Sequence, residues 1–193
     1  SAVATALPVI IGPPSEREAM PLTILTVCTG NLCRSPLAER LLTLRAAERG
    51  VPVLVEGAGT RARNGMAMHA ETQRVLRGYG GDPAGFASRL LTGGVIRDKA
   101  LVLTATEAHS AAVAEQAPVA WKKTFTLLEA AAIAGAHPEA RLADLHRLRQ
   151  SVSREQLDLI DPIGQASDVF DSTGVQISDA VDAIVELLAR PAQ

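Results

Sequence analysis

The chain has 193 residues, 47% hydrophobic and 21% charged, with a formal net charge of −2. That length and balance suit one domain with a sizeable core, and the absence of a Lys/Arg-rich stripe argues against a nucleic-acid or membrane surface. The only cysteines, Cys28 and Cys33, are too few for a disulfide scaffold or a four-thiolate zinc site, and their closeness points to local chemistry in a reducing, cytoplasmic setting.

The first residues, S-A-V-A-T-A-L-P-V-I-I-G-P-P-S, are apolar but lack a basic leader and are broken by prolines, so they make a poor signal peptide. Residues 1–20 read as a flexible N-terminal extension, with Met20 able to serve as a natural start. No apolar run approaches the roughly 20 residues that span a bilayer. Residues 22–27 (L-T-I-L-T-V) read as a buried strand. A short loop, 28–34, follows it. Ser35-Pro36 then opens a helix, serine suiting the N-cap and proline the first turn. Leu37, Leu41 and Leu44 give that helix an apolar face, and Gly50 ends it.

Residues 51–58 read as a second strand and 70–77 as a helix. Residues 99–104 (K-A-L-V-L-T) read as a third strand, with a helix over 109–116. Residues 124–127 are a weaker fourth strand. Helices are expected over 128–136, 138–150 and 178–189, and the segment 135–153 reads as an insertion. Alternating strands and helices predict an α/β fold, a parallel sheet with helices on both faces.

Chemistry concentrates in Cys28-Thr29-Gly30-Asn31-Leu32-Cys33-Arg34-Ser35-Pro36. A loop at the carboxyl end of a parallel strand, leading into a helix N-terminus, gathers main-chain N–H groups into an anion site. Thr29, Gly30, Asn31, Leu32, Cys33, Arg34 and Ser35 would line a phosphate there. The same field favours thiolate over thiol at Cys28. Arg34 brings a planar fork that can hold two phosphoryl oxygens. Gly30 and Asn31 tolerate left-handed backbone, and Ser35 can donate to the sulfur. A bare Cys-x5-Arg arises often by chance; here the whole run fits one geometry.

These residues resemble the low-molecular-weight protein tyrosine phosphatase family, whose C-x-G-N-x-C-R-S-P is matched from Cys28 to Pro36. Gly57-Ala58-Gly59-Thr60 is similar to the family's S-A-G-T, and Gly65-Met66-Ala67-Met68-His69 to its G-x-P-x-H. Leu101-Val102-Leu103 with His109 is similar to its third strand and following helix. The resemblance covers about residues 22–190, least well over 135–153. It implies a four-stranded parallel sheet, a phosphatase domain over 21–193, and no metal or cofactor.

The resemblance further implies a general acid from an Asp-Pro dipeptide, matched by Asp161-Pro162. Asp158, Asp168 and Asp171 lie nearby, but none precedes proline. Cys28 would then be the nucleophile, Arg34 the phosphate clamp and Asp161 the acid. The implied substrate is a phosphotyrosine-containing protein or another aryl phosphate. Three features depart from the pattern. Ile163-Gly164 follow Asp-Pro where many members carry aromatics, Gly57 stands where a serine often supports the loop asparagine, and Phe86 where some members have histidine. In the family the second cysteine, here Cys33, can pair reversibly with the nucleophile; simple packing is the other reading. His69 and His109 read as structural or surface residues, Arg61 and Arg63 as exposed loop residues, and the 141–149 arginines as a solvated face. Two other activities fit the loop: a thiol-dependent arsenate reductase, against which the lack of a third cysteine counts, and a silent phosphate-binding module.

Overall fold

In the computed structural model, which describes residues 20–191, the first apolar run forms β1 (Leu22–Cys28) and α1 (Arg34–Glu48) returns the chain to β2 (Val53–Gly59). Next come α2 (Ala70–Gly78), α3 (Gly93–Arg97) and β3 (Leu101–Thr104). α4 (Glu107–Gln116) and a 3-10 turn (Pro118–Lys123) lead to β4 (Thr124–Thr126). α5 (Leu127–Ala136), the short α6 (Leu145–Leu148) and the long α7 (Ser167–Ala189) follow.

The four strands lie in the order β2-β1-β3-β4, every neighbouring pair parallel. Alternate side chains of each strand face opposite ways. Ile24, Leu101, Leu103 and Phe125 join one core with Leu41 of α1, Ile133 of α5 and Ile184 of α7. Leu25, Val27 and Val102 join another with Ile96 of α3 and Val113 of α4. With both faces covered, β1 and β3 are mostly apolar on both sides and so read as near-continuous runs. The chain goes from β1 to the edge strand β2, then recrosses to β3 on the other side. The connections after β1 and β3 therefore part, opening a crevice at the strands' carboxyl ends.

Four expectations need correction or placing. Cys33, not Ser35, holds the N-cap of α1, without a side-chain cap bond. Ser35 lies inside the first turn, where its carbonyl accepts from Thr26 Oγ1 at 2.9 Å. Residues 138–150 are not one helix: Arg141 Nε donates to Pro191 O and Arg149 Nη2 to Thr124 O, so the segment wraps over the C-terminal ends of α7 and the start of β4. The last helix begins at Ser167 rather than 178, because Phe170, Thr173 and Ile177 are buried and packing outweighs the weak propensities of Asp168, Ser172 and Gly174. The expected N-terminal extension, apart from the exposed Met20, lies outside the described residues.

Candidate active site

The Cys28 loop fills the crevice between β1 and α1. Four of its carbonyls are taken up by N–H groups outside the loop. Thr60 N–H donates to Cys28 O and Arg61 N–H to Thr29 O, each at 2.9 Å, His69 N–H to Leu32 O at 3.0 Å and Leu37 N–H to Cys33 O at 3.2 Å. Among the described residues, no acceptor is paired with the N–H groups of Gly30, Asn31, Leu32 or Cys33. Asn31, at φ 54, makes the left-handed bend that the ring needs. Two glycines of β2 let the loop pass close by. A Cβ on Gly59 would sit 2.5 Å from Thr29 O, and one on Gly57 2.8 Å from Asn31 Nδ2.

Within the ring Cys28 is buried, and its Sγ lies 3.0 Å from Ser35 Oγ. Asn31 Nδ2 donates to the same hydroxyl at 2.8 Å. Ser35 Oγ therefore accepts from Asn31 and has its own proton to give to sulfur. Asn31 Oδ1 in turn accepts from Arg89 N–H at 3.0 Å, and Arg89 Nε donates to Gly57 O at 3.2 Å. Arg89, unremarked in the sequence, thus supports Asn31 through its main-chain N–H, with Gly57 standing where a serine often does so in the family pattern. Phe86 packs at the core edge, with the Arg40 guanidinium 5.7 Å from its ring centroid.

Arg34 is buried at the start of α1. Its Nη1 donates to Leu159 O at 3.1 Å, and its Nη2 lies 3.6 Å from Asp161 Oδ2. The Asp161 side chain is 52% exposed, so this pair is weakly held and the carboxylate can reach a ligand at the mouth. Ile163 N–H donates to Asp161 Oδ1 at 3.2 Å, and exposed Ile160 and Ile163 flank it. The competing acids are engaged elsewhere or remote from the loop. Asp158 accepts from Glu107 N–H, Asp171 pairs with Arg74, and Asp168 sits in the exposed first turn of α7.

His109 is a site-supporting residue that composition alone does not flag. It is buried, with Nε2 2.8 Å from Thr29 Oγ1 and Nδ1 2.9 Å from Thr106 Oγ1. Burial, helped by the Arg34 charge, lowers its pKa from the ordinary 6.5 to about 4. The Thr-x-x-His spacing at the mouth of α4 was the available signal, since Thr106 caps that helix through His109 N–H. His69 caps α2, accepting from Glu71 N–H, and stacks on Phe170. Burial pushes the Cys33 thiol up to about 11, so it is neutral near pH 7, and both cysteines are free. Arg61 and Arg63 are exposed. Arg149 is not on a solvated face: its guanidinium lies 4.2 Å from the Phe125 ring centroid and pairs with buried Glu129. Among the described residues, no cluster of three His, Cys, Asp or Glu side chains could hold a metal, and no helix is long and apolar enough to cross a membrane.

A thiol under a ring of N–H donors, with a guanidinium and a carboxylate at the mouth, can bind a phosphoryl group, attack it and protonate what leaves. Comparison with known proteins points the same way. A family model for low molecular weight phosphotyrosine protein phosphatase matches residues 23–140. A protein-arginine-phosphatase of Geobacillus stearothermophilus is 32% identical, over 88% of this chain and 97% of its own length. The low molecular weight protein-tyrosine-phosphatase Etp of Escherichia coli (strain K12) is 38% identical, over 53% of this chain and 67% of its own. The crystal structure of the tyrosine phosphatase amsI of Erwinia amylovora superposes with a TM-score of 0.71, covering 90% of this chain and 97% of that one at 24% identity.

Proposed function

The chain belongs to the low molecular weight phosphotyrosine protein phosphatase family, and we propose that it dephosphorylates protein side chains with Cys28 as nucleophile, Arg34 as phosphate clamp and Asp161 as general acid. The main-chain N–H groups of Thr29, Gly30, Asn31, Leu32, Cys33, Arg34 and Ser35 hold the phosphoryl oxygens. The Cys28 thiolate attacks phosphorus, forming the S–P bond as the bond to the leaving oxygen breaks. Asp161 gives that oxygen its proton. Water then attacks phosphorus, Asp161 takes its proton, and the S–P bond breaks to return thiolate, which Ser35 stabilises by donation.

One observation carries the reading: the buried sulfur has a hydroxyl donor at 3.0 Å, while the clamp and the acid meet at 3.6 Å at the same crevice. Free thiols at the site suit a reducing, cytoplasmic compartment. Residues 21–193 are read as one phosphatase domain, a reading supported by relatives that align with nearly all of it.

The first substrate class is phosphotyrosine in a protein. A second, phosphoarginine, is favoured by the aliphatic flanks Ile160 and Ile163 and by the protein-arginine-phosphatase relative. The leaving atom is then nitrogen, and the same acid protonates it. The relatives named above are phosphatases, which favours neither the arsenate reductase nor the silent module.

The test is turnover of a phosphotyrosine peptide, a phosphoarginine peptide and arsenate plus a small thiol, side by side. Cys28→Ser abolishes turnover while leaving inorganic phosphate binding within about threefold; activity surviving in that variant overturns the mechanism. Asp161→Ala slows aryl phosphates with basic leaving groups most, by about 100-fold or more.

A further inference from the structure

We propose that Arg154 is a positioning residue for this reaction: its ion pairs with Glu129 and Glu107 fix the segment that carries Asp161. The inference rests on Asp161 being the acid. Residues 152–161 have no helix or strand of their own beyond the end of a 3-10 turn, so something other than main-chain periodicity must hold Asp161 at the crevice.

The anchors are side chains. Arg154 Nη1 bonds to Glu129 Oε2, and its Nη2 to Glu107 Oε1. Glu129 sits in the first turn of α5 and Glu107 opens α4. These helices start directly after β4 and β3, at the sheet rim that also carries the Cys28 loop. Glu129 is 3% exposed and its other oxygen lies 3.5 Å from Arg149 Nε, so it is a fixed buried anchor rather than a mobile surface acid. Four residues on, Asp158 Oδ1 accepts from Glu107 N–H at 2.8 Å. Glu107 is thus held twice by one short stretch. Leu159 follows, donating to Ala105 O at 3.0 Å and accepting from Arg34. Between the anchors Gln156 stands at φ 57, a bend that a non-glycine keeps only when its surroundings impose it.

Removing Arg154 leaves a buried carboxylate with one partner and frees the bend. None of the hydrogen bonds or ion pairs found for Arg154 involves the Cys28 loop. Leu159, which bonds Arg34, keeps its own main-chain tie to Ala105 O, so the loss of Arg154 loosens the acid more than the clamp, a pattern that general destabilisation does not produce.

The experiment compares kcat/KM for aryl phosphates of graded leaving-group basicity, from p-nitrophenyl to phenyl phosphate, with inhibition by inorganic phosphate measured in parallel. Arg154→Leu slows phenyl phosphate at least about tenfold more than p-nitrophenyl phosphate, part of the full contribution of a general acid, and phosphate inhibition stays within about twofold. Arg154→Lys restores most of the loss. Glu107→Gln, which keeps the buried pair intact, shifts the series the same way by less and stands in if Arg154→Leu does not fold. An equal loss across the series, no loss, or weakened phosphate inhibition overturns the proposal. Asp161→Asn separates the two levels. If it shows no leaving-group dependence, the acid reading has failed; if it does and the Arg154 and Glu107 variants do not, only the positioning role has.

Discussion

Ser35 shows how one hydroxyl is made directional. Asn31 donates to it, and Arg89 N–H polarises Asn31 from behind, so the Ser35 proton is left for Cys28. Hydrogen bonds to charged groups contribute about 1.5–3 kcal/mol, which corresponds to about ten- to hundredfold in rate. Ser35→Ala is expected to lower turnover by that factor, chiefly in the step where sulfur leaves phosphorus. Rapid mixing with an aryl phosphate should then show a burst of aryl alcohol followed by a slow steady state; a loss of the burst itself would mean that Ser35 acts in attack instead. At this scale the sequence was legible where chemistry is local. Cys28 to Pro36 carries its meaning in nine consecutive residues. It was not legible where support comes from afar, because Arg89, His109 and Leu159 reach the loop from 58 to 125 positions away and no spacing rule links them.

Elements were legible in proportion to their burial. The strands and α1 stood out because packing demands unbroken apolar patterns there. The first half of α7 did not, since its helix is held by contacts with α1 and α2 rather than by propensity. The wrapped segment around α6 reads as one helix in the sequence because its leucines and arginines mimic a helical period, while its guanidinia bond to distant carbonyls. Lys123 illustrates the same kind of long reach. Its Nζ donates to Ile96 O at 3.1 Å, Arg97 O at 3.2 Å and Lys99 O at 2.6 Å, closing the end of α3 just before β3. Lys123→Met leaves those carbonyls without their cation, at a cost of about 2 kcal/mol. In a domain of this size that lowers Tm by about 4–8 °C. Calorimetry checks the shift. Inorganic phosphate inhibition should not change, since α3 lies across the sheet from α1, and a weakened cradle would contradict that separation.

Across the whole molecule, the switch in strand order, with β2 added on one side of β1 and β3 on the other, brings the Cys28 loop beside the start of α4. His109 joins the two, with one threonine hydroxyl on each ring nitrogen. A neutral ring offers one donor and one acceptor, so it satisfies both threonines; a protonated ring has two donors and no acceptor. Arg34 also opposes protonation, while Asp158 and Asp161 favour it weakly. The folded protein therefore keeps His109 neutral down to about pH 4, whereas the unfolded chain takes up its proton near 6.5. Below pH 6.5 the unfolded state binds more protons, so stability falls as pH falls, and the decline levels off near pH 4, where both states are charged. The full effect is at most about 3 kcal/mol. Urea midpoints from pH 7.5 to 4 should show His109→Gln less stable than the wild type at the top of the range. The gap between them should narrow steadily below pH 6.5. A gap of constant width would mean that His109 titrates alike in both states, and the joint between loop and helix would then owe nothing to a neutral imidazole.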